Sequence, residues 1–261
     1  MLQLFKQNFL TESVLYQKRI HTWMHRKNQA QKNQMRLVPV MLMLPLLCAA
    51  ADDLTMLRDH QERRELEARA SSLQATAEKR PGDADGWYRG AVAYSYAAEV
   101  AMETGDKGGS KRSAEAGVAL ADKAIDINGH NAEYYRILGT LCGQIIPANP
   151  MAGILVYGKR AKEALDKAVA MDPKSSGAFL AHGVGYYYLP ENFGGGPENA
   201  IKDFQRAIAL DPKSAEAYLW MGIALRKQNQ NAKAHEALSK SLALDPDRVW
   251  TKQQLAKTPE K

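Results

Sequence analysis

The six residues Ala207–Pro212, read Ala-Ile-Ala-Leu-Asp-Pro, return almost unchanged as Ser241–Pro246, 34 positions later. The same tail is legible as Ala168–Pro173 and, more faintly, as Ala124–Gly129. A period of this size marks helical hairpins too small to bury their own apolar faces. Neighbours must therefore stack into one continuous core. No segment shows strand alternation long enough for a sheet, so the expected fold class is all-α.

Aligned on these tails, the units share a packing pattern. An aromatic opens each first helix at Trp87, Tyr135, Phe179 and Tyr218. Four residues later comes a small residue, Ala91, Gly139, Gly183 or Gly222, where two helices can cross closely. The second helix answers with Gly117, Ala161, Ala200 and Ala234, and again with Ala124, Ala168, Ala207 and Ser241. Between these lies a filler, Ala121, Leu165, Phe204 or Leu238. Steps of three and four place each set on one helix face.

This pattern resembles the tetratricopeptide repeat family, most closely in Tyr218, Met221, Gly222, Leu225, Ala234, Leu238 and Pro246. The resemblance implies a right-handed solenoid of about four units over residues 81–246, divided as 82–129, 130–173, 174–212 and 213–246. Residues 52–80 are expected to form an N-terminal capping helix, and 247–261 a C-terminal capping helix and tail. The terminal positions Pro81, Gly129, Pro173, Pro212 and Pro246 show that the units lengthen toward the N-terminus. The extra residues are read between the two helices of a unit, around Thr104–Ser110, Gln144–Asn149 and Leu189–Gly196. Such inserts line one rim of a solenoid. Asn149-Pro150 and Gly196-Pro197 each read as a helix start.

The formal charge of +6 is misleading. Residues 1–51 hold seven basic residues (Lys6, Lys18, Arg19, Arg26, Lys27, Lys32, Arg36) and one acid, Glu12, against 35 and 29 in the whole chain. The repeat region is thus formally neutral, and no nucleic-acid partner is expected. Arg36, the apolar run Leu37–Leu47 and Ala49-Ala50-Ala51 read as a signal peptide over 35–51, with residues 1–34 a non-native or disordered extension and Met35 the alternative start. The expected location is the periplasm or envelope of a bacterium. Membrane attachment would come only through this leader or a lipid on Cys48. Bulky Leu47 argues against the lipid. Cys142 falls on a buried helix face and reads as a packing thiol.

No constellation for catalysis, cofactor or metal emerges. The six histidines lack paired ligand spacing, with His21 and His25 in the doubtful leader. His182 occupies a core position and reads as a packing histidine. Gly194-Gly195-Gly196 lacks the Lys-Ser/Thr of a P-loop and reads as loop closure.

The resemblance places a concave groove on the first helices. Its candidate binding residues are Tyr88, Val92, Tyr96, Arg136, Leu180, Val184, Tyr187, Leu219, Ile223 and Arg226. The groove is expected to be apolar and aromatic, with Arg136, Arg226 and Lys227 as its cations, and to suit a hydrophobic peptide. The leading expectation is an exported scaffold or adaptor that binds another protein through groove and inserted rim. The alternative is an envelope component holding a hydrophobic or carboxylate small molecule. For that reading, the insert Leu189–Gly195 resembles those of exported repeat proteins, including the repeat component of TRAP-type carboxylate transport systems.

Overall fold

A computed structural model describes residues 53–260. The extension 1–34, the leader 35–51 and Cys48 lie outside the described residues. Residues 53–59 are helical. Then follow α1 (Arg63–Glu78), α2 (Ala84–Glu103), α3 (Lys107–Ile127), α4 (Ala132–Ile145), a 3-10 turn (Ile146–Ala148), α5 (Pro150–Gly153), a π-helical stretch (Ile154–Gly158) and α6 (Lys159–Met171). After these come α7 (Ser176–Tyr188), a 3-10 turn (Glu191–Phe193), α8 (Pro197–Leu210), α9 (Ala215–Lys227), α10 (Asn231–Leu244) and α11 (Val249–Ala256). The described residues contain no strand. The four units are the pairs α2–α3, α4–α6, α7–α8 and α9–α10, stacked in chain order.

Local chemistry fixes the starts of the helices. Asp83, Asp106, Asn131, Asn149, Ser175 and Ser214 each accept a backbone N–H of the first turn through the side chain. Pro197 occupies the first turn of α8 after Gly196, whose φ of 99° only glycine adopts readily.

The small crossing positions pack as the pattern requires. A Cβ on Gly139, Gly183 or Gly222 would lie 2.6 Å from Leu165, Phe204 or Leu238, the filler of the same unit. It would also press on the backbone oxygen of Ala161, Ala200 or Ala234. The opening aromatics do a second job. Trp87 donates to the Pro81 carbonyl and Tyr135 to the Gly129 carbonyl, tying each first helix to the preceding tail. Lys123 and Lys167 cover the outer faces of these two rings, at 4.1 and 3.9 Å from their centroids.

Two expectations are corrected. The 52–80 cap is two helical segments, not one. The chain turns at Gln61, whose φ of 59° is unusual for a side-chain-bearing residue, before α1 begins. The extra residues of units one and two, expected between the two helices, are largely helical themselves. α2 and α3 have 20 and 21 residues, against 13 and 14 for α9 and α10. Each is longer by seven residues, close to two turns, so the added turns continue the same faces. In unit two, α5 and the π-helical stretch run directly into α6. The insert of unit three does lie between its two helices, with a single 3-10 turn in it. There a Cβ on Gly195 would collide with the Leu189 carbonyl, in keeping with loop closure.

Candidate functional site: a charged closure between the first and last units

The stripe of α2 that begins with Tyr88, Val92 and Tyr96 continues through the two added turns to Glu99 and Glu103. These carboxylates meet Arg248, which stands just before α11 and is 1 % exposed. Arg248 grips Glu103 with both terminal nitrogens, Nη2 to Oε1 at 2.5 Å and Nη1 to Oε2 at 3.2 Å. Its Nη2 also donates to Glu99 at 2.7 Å, and its Nε to Glu216 of α9 at 2.9 Å. Asp59 lies 3.5 Å from Nε, and Nη1 reaches the Arg58 carbonyl. Arg58 itself pairs with Asp59 and Glu216 and stacks over Tyr96. The first and last units thus meet through charged groups.

Two guanidiniums face four carboxylates here. Burial raises Glu99 to about 8, against the pull of Arg58 and Arg248 and with help from Glu216 and Glu103. Burial also raises Glu103 and Asp59 despite their arginine partners. Glu216 goes the other way: burial is outweighed by Arg58 and Arg248, which hold it below the usual carboxylate range.

The ten groove candidates divide into three groups. Tyr88 donates to Glu133, which also pairs with Arg136, and the Tyr88 ring lies 5.2 Å from that of Tyr134. Val92 packs into the core of units one and two, while Tyr96 supports Arg58. Leu180, Val184 and Tyr187 are half-buried against α8 and α9. Leu219 and Ile223 are buried, with Trp250 and Leu255 of the C-terminal helix packed over them. The three cations expected in the groove, Arg136, Arg226 and Lys227, are engaged within the chain. Arg226 donates to the Gln254 carbonyl, Gln254 Oε1 and Thr258, which fastens α11 to unit four. Lys227 donates to the Tyr187 carbonyl and lies over its ring. An aromatic run, Tyr188–Trp220–Trp250, flanks the charged centre with ring separations of 6.0 and 5.3 Å.

Sequence reasoning passed over Asp59, Glu99, Glu103 and Arg248. The first and last lie in segments read as caps. Glu99 and Glu103 could have been found by extending the concave stripe at steps of four, three and four past Val92.

His182 proves more than a packing histidine. Its Nδ1 lies 2.7 Å from Asp203 and its Nε2 2.9 Å from Asp166, so it bridges α6, α7 and α8. Burial opposes the imidazolium, but Asp203 and Asp166 outweigh it and raise the pKa. A raised folded-state pKa gives stability that is complete below the unfolded value, about 6.5, and is lost as pH rises through the folded value. Thermal melts from pH 6 to pH 9 should therefore fall in the wild type. His182→Leu should flatten that fall, by about 1–2 kcal/mol. A residual slope that levels off above about pH 8 belongs to Glu99, whose raised pKa works in the same direction. An unchanged slope in the variant would show that the bridge carries no charge.

Cys142 is fully buried, and burial pushes its thiol up to about 11, as fits an inert packing thiol. Among the described residues no cluster of His, Cys, Asp and Glu is arranged to hold a metal. An apolar cavity of about 50 Å3 lies between Ile146, Ile154, Leu165, His182 and Leu189. A larger open trough, about 970 Å3, runs between α8, α9 and α10 over Ile201, Ile208, Tyr218 and Met221.

The inserts carry the most exposed apolar side chains among the described residues. Met151 is 80 % exposed, Leu155 79 %, Val156 65 % and Phe193 61 %. The first three lie on one helical run of unit two, and Phe193 lies in the insert of unit three.

The family model described as regulator of microtubule dynamics protein 1-3 matches residues 48–189, more than half of the chain. The chain belongs to the regulator of microtubule dynamics protein 1-3 family. In this member of the family a tetratricopeptide repeat model takes over at residues 195–256. The handover falls at the unit-three insert. No curated protein matches the chain. Among solved structures, a thermophilic tetratricopeptide repeat protein of Thermus thermophilus is 14 % identical, covering 77 % of this chain and 97 % of its own, with a TM-score of 0.56. That likeness shows the repeat fold. MamA (41-end) from Desulfovibrio magneticus RS-1 is 18 % identical over 76 % of this chain and 97 % of its own, with a TM-score of 0.44.

Proposed function

We propose that this chain is a protein-binding scaffold whose primary contact surface is the inserted rim of units two and three. Its repeat fold is of the kind that serves protein–protein interaction generally. One observation carries the finer reading: four of the seven large apolar side chains exposed among the described residues lie on these two inserts. Met151 and Leu155 stand four residues apart with Val156 next to Leu155, and all three are largely open to solvent, the form of a surface that docks on another protein. The concave face is less available, because Leu219, Ile223 and Arg226 are committed to the C-terminal helix. The family is named for regulation of microtubule dynamics, which is in keeping with a protein partner. Export to a bacterial envelope through residues 35–51 remains part of the proposal on the leader's pattern alone.

Replacing Leu155 and Val156 together by Glu should leave helix content unchanged, since both side chains are exposed. It should weaken the partner that copurifies with the wild-type chain by about a hundredfold, the scale of losing two apolar anchors. Retained affinity would remove the rim from consideration.

A further inference from the structure

We propose that the charged closure is a separable clasp: the first and last units part at Arg248 without unfolding, and so control access to the concave aromatic surface. Among the described residues, the side-chain contacts that join the two ends are polar. Arg248 holds Asp59, Glu99 and Glu103, Arg58 pairs with Glu216, and Gln253 donates to Gln61. None of the four buried apolar clusters of the described residues spans the junction. One end has its own core around Leu66 and Val100, the other around Leu219 and Leu238.

This division matters because the two kinds of contact respond differently to opening. Parted ions are rehydrated, which returns much of what their pairing gained. Parted apolar surfaces gain nothing from water. A junction made of charged and polar groups is therefore marginal beside the cores on either side, and in a stacked array each unit leans mainly on its neighbours. Four carboxyl groups crowd two guanidiniums in the closed state, and burial, with Glu216 and Glu103 beside it, holds Glu99 up to about 8. Gln61, in a left-handed conformation at the turn before α1, is itself part of the junction. Its Nε2 donates to Glu103 at 2.8 Å, and its Oε1 accepts from Gln253 at 3.2 Å. Strained residues gather at switch regions where a second arrangement can relieve them. Opening would further uncover Trp220 and Trp250, both half-buried in the closed form, beside Tyr188, which is already exposed. The rim lies elsewhere, so this inference stands or falls apart from the rim reading.

The test is a distance between spin labels on His60→Cys and Lys252→Cys, two exposed positions beside the Gln61–Gln253 contact, in the full chain with Cys48→Ser. Buried Cys142 stays unlabelled. The wild type should give one short, narrow distribution. Arg248→Gln should shift it outward by on the order of 10 Å, about two helical turns, with circular dichroism unchanged. High salt should move the labelled wild type in the same direction, which keeps the test decisive if the variant folds poorly. An unmoved distance in high salt, or a shift that comes only with loss of helix, would overturn the clasp.

Discussion

Phe204→Ala is expected to cost about 3–5 kcal/mol of stability, the usual effect of removing a fully buried aromatic ring. The ring is wholly buried and sits where the two helices of unit three cross. Ala200 and Ala224 are buried beside it, and Leu180, Val184 and Met221 pack on the same cluster, so it joins unit three to unit four. The neighbours that define the space are held by their own helices, so little collapse into the void can follow. Urea unfolding followed by circular dichroism measures the loss. A cost below about 1 kcal/mol would mean that the unit-three crossing relaxes freely, unlike a packed interior.

Gly222→Leu should be comparably damaging for the opposite reason. A Cβ alone would stand 2.6 Å from Leu238 Cγ and 3.0 Å from the Ala234 carbonyl oxygen. The leucine could rotate, but the carbonyl belongs to the backbone of α10 and cannot move without opening the helix pair. Overpacking of this kind costs about 1–3 kcal/mol and more where backbone must shift. Because α11 rests on Leu219, Ile223 and Leu238, spreading α9 from α10 should also loosen the C-terminal helix. Hydrogen exchange resolved by segment checks both effects. Faster exchange should appear in residues 215–256 while α2 and α3 stay protected. A variant as stable as the wild type would mean the crossing is looser than its geometry indicates.

The same crossings explain what the sequence made legible. Small residues at Gly139, Gly183 and Gly222, each opposite a bulky filler, are a direct packing requirement, so their spacing sets unit boundaries in the bare sequence. Local signals such as Asn149-Pro150 and Gly196-Pro197 marked helix starts for equally local reasons. The seven-residue growth of α2 and α3 was less legible. Insertion by two turns preserves the faces and leaves no break in the pattern, so it can be mistaken for a longer connection. The closure at Arg248 was not legible at all. It joins residues 145 to 190 positions apart, and an arginine after the last repeat looks like solvated surface until the first and last units are seen to meet. The candidate groove residues lie on the first helices of their units, α2, α4, α7 and α9. Their availability depended on α11 and on Arg58, which no repeat pattern specifies.

The most direct test of the rim as the docking surface is a photo-crosslinking amino acid placed at Leu155, with Lys213, an exposed polar position on the turn before α9, as control. The account predicts a discrete covalent adduct with one protein at Leu155 and none at Lys213. Adducts at Lys213 with none at Leu155 would contradict it.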